Sequence, residues 1–305
     1  MWRFVLRRAG NGAVSILGAS LVIFMVSRLS GDPITLMMPP DAPPQAIEAM
    51  RVALGLDRPL WTQYWIFITN ALTGDFGTSY RWQQPALNLV LDRLPATVEL
   101  AVAALLFSVS VAVPLGVLSA VYRGGWVDRL GRILAMLGQA MPNFWVGLML
   151  ILVFAVGFGW LPAFGRGGPE HLILPAIALG WYPVAAQMRI VRSGMLDVLE
   201  SDYIRLSRAL GTPERLLVWK YAFRNAAVPL LTMLGVYFAA MLGGAFIVEV
   251  IFAWPGIGRM VVEAVFARDF PVVQAGVLFS SILFVMSNLL VDISYGIVDP
   301  RIRND

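Results

Sequence analysis

Long apolar blocks separated by shorter polar ones run through the chain, and six of them are apolar enough to cross a bilayer as helices: 9–26, 97–121, 133–159, 172–190, 228–252 and 275–297. A crossing needs about 20 mostly apolar residues. Backbone groups in lipid must bond within their own segment, so helices are the expected form for runs of this length. Pro142 interrupts the third block; it removes a backbone hydrogen bond and predicts a kink, with Asn143 placed to satisfy a freed carbonyl. Gly116, Gly138, Gly147, Gly235, Gly243 and Gly244 recur within the blocks and fit close helix packing.

Two polar stretches are too long to be bare connections. The first, 27–96, holds a helical pattern at 45–54 and an aromatic-rich one at 60–72, with Trp61, Tyr64, Trp65 and Phe67 suited to a membrane interface. Gly74-Asp75-Phe76-Gly77 reads as a turn. The second stretch, 189–229, organises the chain. Leu196, Leu199, Tyr203, Leu206 and Leu210 recur at steps of three and four, the spacing of an apolar helix face. Asp197, Ser201, Asp202, Arg205 and Arg208 fall elsewhere on the same helix. Gly211 ends it, being free to take positive φ. Thr212 is the expected cap of a second helix, with Pro213 at its first position and Glu214 complementing its dipole. That helix runs from Glu214 to about Asn225 with Arg215, Lys220 and Arg224. Helices this short are marginal alone, so something has to cover the stripe. A partner groove or the inner leaflet would each do so.

Composition agrees with a polytopic membrane protein. Of 305 residues 58% are apolar and 14% charged, against about 25% charged in soluble proteins. There is no cysteine and a single histidine, His171, which removes disulfides, thiolate metal sites and histidine clusters. His171 is expected to lie at the membrane interface. Basic residues are spread over loops rather than gathered in a patch, so nucleic acid is not an expected partner. Arg123, Arg129 and Arg132 crowd the short 122–132 loop, whereas Arg166 stands alone in 160–171. The positive-inside rule then puts both termini and the 189–229 loop in the cytoplasm. No charged residue lies mid-block, which argues against a proton relay; Glu99, Glu249 and Asp292 lie toward block ends. Neither a phosphate-binding loop nor a nucleophile elbow is present. No catalytic or metal-binding set is expected.

Four segments carry a resemblance over nearly the whole chain: Leu29-Ser30-Gly31-Asp32-Pro33; Leu54-Gly55-Leu56-Asp57-Arg58-Pro59-Leu60 with Gly74 to Ser79; Asp202-Tyr203-Ile204-Arg205-Leu206-Ser207-Arg208-Ala209-Leu210-Gly211 with Arg224, Asn225 and Pro229; and 248–258, which includes Glu249, Trp254 and Pro255. The chain resembles the permease subunits of bacterial ABC importers for dipeptides, oligopeptides and glutathione, specifically the first of the paired permeases. The resemblance implies an all-α, six-helix permease of the type I importer architecture in the bacterial inner membrane. Its organisation would be a first span (1–26), an outside region (27–96), a five-helix core (97–297) and a tail (298–305). It implies that Asp202 to Glu214, with Thr212 and Pro213 in the linker, forms the coupling loop that docks on a cytoplasmic ATPase. The loop reads Arg205-Leu206-Ser207 where the commoner motif has Glu-Ala-Ala, and Ser207 and Leu210 stand where Ala and Lys are commoner. Implied partners are a second homologous permease, two ATP-binding subunits that hold ATP and magnesium, an extracytoplasmic solute-binding protein, and lipid; this chain itself would hold no cofactor. Glu249 and Trp254 are candidates for an outer gate, Glu249 alternatively being an interfacial carboxylate. A stand-alone secondary carrier is the competing class.

Overall fold

The computed structural model of the chain describes residues 2–29, 34, 38, 42–53 and 55–298. Residues 30–33 of the first motif, Leu54 and the tail beyond 298 lie outside them. Among the described residues the regular structure is helical, with one isolated bridge between Thr78 and Pro85. In chain order the helices are α1 (Trp2–Leu29), α2 (Pro44–Ala53), α3 (Leu60–Leu72), α4 (Ala86–Val121), α5 (Trp126–Ala140), α6 (Asn143–Gly157), α7 (Glu170–Leu199), α8 (Asp202–Ala209), α9 (Glu214–Ala226), α10 (Val228–Gly244), α11 (Phe246–Ile251), α12 (Ile257–Phe266) and α13 (Phe270–Val298). Helices α6 and α9 each contain a wider π-helical stretch, Ile151–Gly157 and Leu217–Ala222.

Among the described residues three helices are long and apolar enough to cross a membrane outright: Leu6–Leu29 of α1, all of α4 and Phe270–Val291 of α13. The pairs α5–α6 and α9–α10 pass the same test only when taken together, across bends of 107° and 50°. The kink expected at Pro142 is thus a near right-angle break. Met141 is extended (φ −93°, ψ 120°), as a residue before proline is driven to be, and Pro142 follows it at ψ 144°. Two successive non-helical residues separate the helices, and Asn143 opens α6.

Helix α4 starts behind Pro85, well before the apolar block at 97, and its 36 residues span about 54 Å. The end of the predicted outside region is therefore part of a spanning helix. Helix α3 lies where the sequence places it. Tyr64 meets Phe24 of α1 edge-to-face at 5.4 Å and Phe67 stacks on it at 5.9 Å, while Trp61 and Trp65 on the other face are exposed. Apolar cores occupy both ends of the bundle. One gathers Leu100, Ala104, Leu174, Leu179, Phe252 and Trp254; the other, at the arginine-rich end, gathers Val117, Val191, Met195, Ile204, Leu217 and Val218.

Candidate functional site

Helix α7 runs without interruption from Glu170 to Leu199, past the end of its apolar block, and carries the polar loop at its tip. The single amphipathic helix expected from Leu196 to Leu210 is broken. Ser201 is extended (φ −70°, ψ 152°) and its hydroxyl turns back to the Val198 carbonyl at 2.5 Å. Helix α8 then starts afresh with Asp202 in its first turn, where a carboxylate suits the dipole. Glu200-Ser201-Asp202 was the readable signal for this break, since Ser and Asp favour helix starts.

The break divides the expected stripe. Leu196 and Leu199 pack into the arginine-rich-end core. Tyr203, Leu206 and Leu210 are 43%, 61% and 77% exposed. The residue that seats α8 is Ile204, fully buried among the core residues of α4, α7 and α9, and the stripe spacing did not point to it. Helix α8 thus presses one isoleucine inward and turns Tyr203, Leu206 and Leu210 outward. Arg205 reaches Asp202 at 3.7 Å along the exposed surface, and the Ser207 hydroxyl bonds the Tyr203 carbonyl at 2.8 Å.

Gly211 takes φ +83°, as its position requires. The Thr212 amide reaches back to the Ser207 carbonyl at 3.1 Å and the Gly211 amide to the Arg208 carbonyl at 3.0 Å, a Schellman ending for α8. The expected capping differs in detail. Pro213, not Thr212, occupies the N-cap of α9, and its carbonyl accepts from Leu216 and Leu217. Across the turn Arg208 forks onto Glu214 (Nε to Oε1, 2.5 Å), and the Asn225 amide donates to the Tyr203 hydroxyl at 2.7 Å. Ala209 closes α8 ahead of this turn. Beside it lies a groove of about 580 Å³ walled by Val121, Tyr122, Leu199, Arg208, Glu214 and Trp219. The residues 202–214 therefore form one hydrogen-bonded unit with a bare apolar knob.

No atom lies within 4 Å of where a Cβ would stand on Gly211, so substitution there acts on backbone strain alone. Gly211→Val should impose roughly 1–2 kcal/mol. Limited trypsin digestion at Arg205, Arg208 and Arg215 is expected to speed up about tenfold as the unit opens locally; unchanged cleavage would refute the strain argument.

At the far end, Glu249 and Trp254 come together but neither is free. Both side chains are buried. The Glu249 carboxylate accepts from the Thr97 hydroxyl at 2.8 Å and the Arg259 amide at 3.0 Å, and Trp254 Nε1 donates to the Ala96 carbonyl at 2.8 Å. They brace α4 against α11 and the start of α12. His171 lies beside Glu170, its Nδ1 3.4 Å from the carboxylate.

Comparison with known proteins places this arrangement. Residues 112–304 match the family described as binding-protein-dependent transport system inner membrane component, and residues 1–101 match its N-terminal counterpart. The chain is 41% identical over 304 residues to the glutathione transport system permease protein GsiC of Salmonella typhimurium, covering 99% of both chains. It is 39% identical to the dipeptide transport system permease protein DppB of Alkalihalophilus pseudofirmus, covering 94% of this chain and 95% of that one. A crystal structure of an amino acid ABC transporter with histidines superposes with TM-score 0.50 at 20% identity, covering 68% of this chain and 92% of that one, a likeness of fold. An all-helical chain with a helix–glycine–helix unit at the tip of α7, matched from end to end by such relatives, belongs to the inner membrane components of binding-protein-dependent transport systems and is a permease subunit of an ABC importer rather than an enzyme.

Proposed function

We propose that this permease imports peptides or peptide-like solutes and forms the translocation path with a second, homologous permease. Its relatives named for glutathione and dipeptide transport support that cargo class. Six crossings are assigned: α1, α4, the α5–α6 pair, α7, the α10–α11 pair and α13. Both termini and the 189–229 loop face the cytoplasm, in keeping with the arginines of the short loops. Two ATPase subunits beneath hold ATP and magnesium, and a solute-binding protein delivers cargo to the opposite face.

The observation that carries the reading is the division of labour on α8: Ile204 inward, Tyr203, Leu206 and Leu210 outward beside an open groove. An amphipathic helix laid in a partner's groove is a recurrent recognition mode. ATP-driven closure of the two ATPases would carry α8 with it, tilt α7 and α10, and exchange outward for inward access as a rigid-body movement. ATP acts by favouring one of the two states. The chain lacks cysteine, so Leu206→Cys creates a single reactive thiol. It is expected to cross-link to a cysteine placed in the ATPase groove, and Leu206→Glu to lower co-purified ATPase about tenfold. A thiol modified only by lipid-phase reagents, with ATPase binding intact in Leu206→Glu, would sink the proposal. Uptake that persists without ATPases and collapses with an uncoupler would favour a secondary carrier.

A further inference from the structure

Two turns before α7 ends, its Arg192 meets Asp128 in the first turn of α5. Asp128 is one of the few buried carboxylates, its side chain 2% exposed. Its Oδ1 accepts from the Ser119 hydroxyl of α4 at 2.8 Å and from Arg192 Nε at 2.7 Å. Its Oδ2 accepts from the Gly124 amide at 3.0 Å and from Arg192 Nη2 at 3.2 Å, with the Arg132 guanidinium 3.6 Å away. One carboxylate thus joins α4, the α4–α5 connection, α5 and α7.

The helices flanking the joint are in close contact. A Cβ on Gly131 of α5 would collide with Met188, and one on Gly116 of α4 would stand 2.8 Å from Val191. Further along, at the helix end, Arg123 meets Glu200 at 2.8 Å on the surface. An exposed pair of that kind contributes about 0–1 kcal/mol. The buried pair is a different device. Replacing such a pair by apolar residues often leaves stability unchanged, so stability alone is a poor account of it. What a bidentate guanidinium–carboxylate fork supplies is fixed orientation and register. Here the register is that of α7, a helix of about 45 Å with α8 hung from its tip.

Taking α8 as the ATPase-docking helix, we infer that the Asp128–Arg192 fork is the joint that passes displacement of α8 to α4 and α5. With the fork in place the three helix ends move as one body. Without it the tip of α7 swings alone and the pathway does not follow. Asp128 and Arg192 are positioning residues in this scheme.

The test uses the whole importer, reconstituted with partner permease, ATPases and binding protein. Spin labels at Arg129→Cys and Asp197→Cys, both exposed, report the α5–α7 separation in nucleotide-free and ATP–vanadate-trapped states. The intact joint should give one separation in both states. Asp128→Asn should give a separation that shifts by several ångströms on trapping. It should also lower labelled-dipeptide uptake per ATP hydrolysed about tenfold, with Leu206→Cys still cross-linking to the ATPase. Arg192→Lys keeps the charge but not the fork and should lower the ratio about threefold. An unchanged separation and ratio in Asp128→Asn would overturn the inference. So would uptake and hydrolysis falling together in proportion to the amount of assembled complex, the mark of a merely structural role. Absence of the ATPase cross-link in the otherwise unaltered chain would instead refute the docking reading beneath it.

Discussion

Ile204→Asp is expected to abolish ATP-driven uptake, by more than a hundredfold, in a chain that still inserts in the membrane. The reason lies in how little holds α8. The helix has eight residues, too few to persist alone, and its buried residue is Ile204. Removing that side chain from water contributes about 1.5–3 kcal/mol. An unpaired carboxylate in the same place, among Val117, Val191, Met195 and Leu217, reverses the sign and costs several kcal/mol more. The helix then leaves its seat and the outward Tyr203, Leu206 and Leu210 lose their fixed orientation. A hundredfold loss corresponds to about 2.7 kcal/mol, within that range. Ile204→Val, costing about 0.5–1.5 kcal/mol, should keep most activity. Uptake by membrane vesicles, read with ATPase co-purification and membrane content of the variant, decides it. Normal ATPase recovery with Ile204→Asp would show that α8 does not depend on this anchor.

Glu249→Ala should unfold the opposite end. The carboxylate takes the Arg259 amide in the first turn of α12 and the Thr97 hydroxyl, while Thr97 Oγ in turn accepts from the Ile257 amide at 2.9 Å. Gly256 makes room, for a Cβ there would collide with the carboxylate. Alanine leaves a buried hydroxyl and a helix-start amide without their acceptor, at about 1–3 kcal/mol each. Several kcal/mol should therefore be lost, read as a lower thermal aggregation midpoint in detergent and faster cleavage within 253–259. Glu249→Gln keeps one acceptor and should lose about half as much. The same pair of variants separates a strut from a moving outer gate. A strut loses stability in step with activity, whereas a gate residue would show altered uptake in Glu249→Gln at unchanged midpoint.

How much was legible in the sequence differs between these two sites. Gly211 was readable because helix endings impose a local demand: a residue at positive φ followed by a backbone return, which glycine meets at little cost. Helix α3 was readable because its aromatic run and flanking turn signals lie within a dozen residues. The break after Leu199 was written in Glu200-Ser201-Asp202, but the leucine spacing across it was stronger and pointed to one continuous helix. Ile204 escaped for the same reason. Once the helix restarts, the face it turns to the core is set by the restart and not by the spacing inherited from α7. No spacing in the sequence singled out Asp128; its partners on α4 and α7 are 9 and 64 positions away.

The sequence by itself determined that the chain is helical and lies in a membrane, and which polar loop carries the helix–glycine–helix unit. These follow from hydropathy, capping and proline, which act over one or two turns. Tertiary structure decided which face of α8 is bare, that Glu249 is enclosed rather than open to the outside, and that α7 is fastened to α4 and α5 by one buried carboxylate. Each of these is a contact between segments far apart in the chain. No spacing within one segment encodes what a distant helix will press against it.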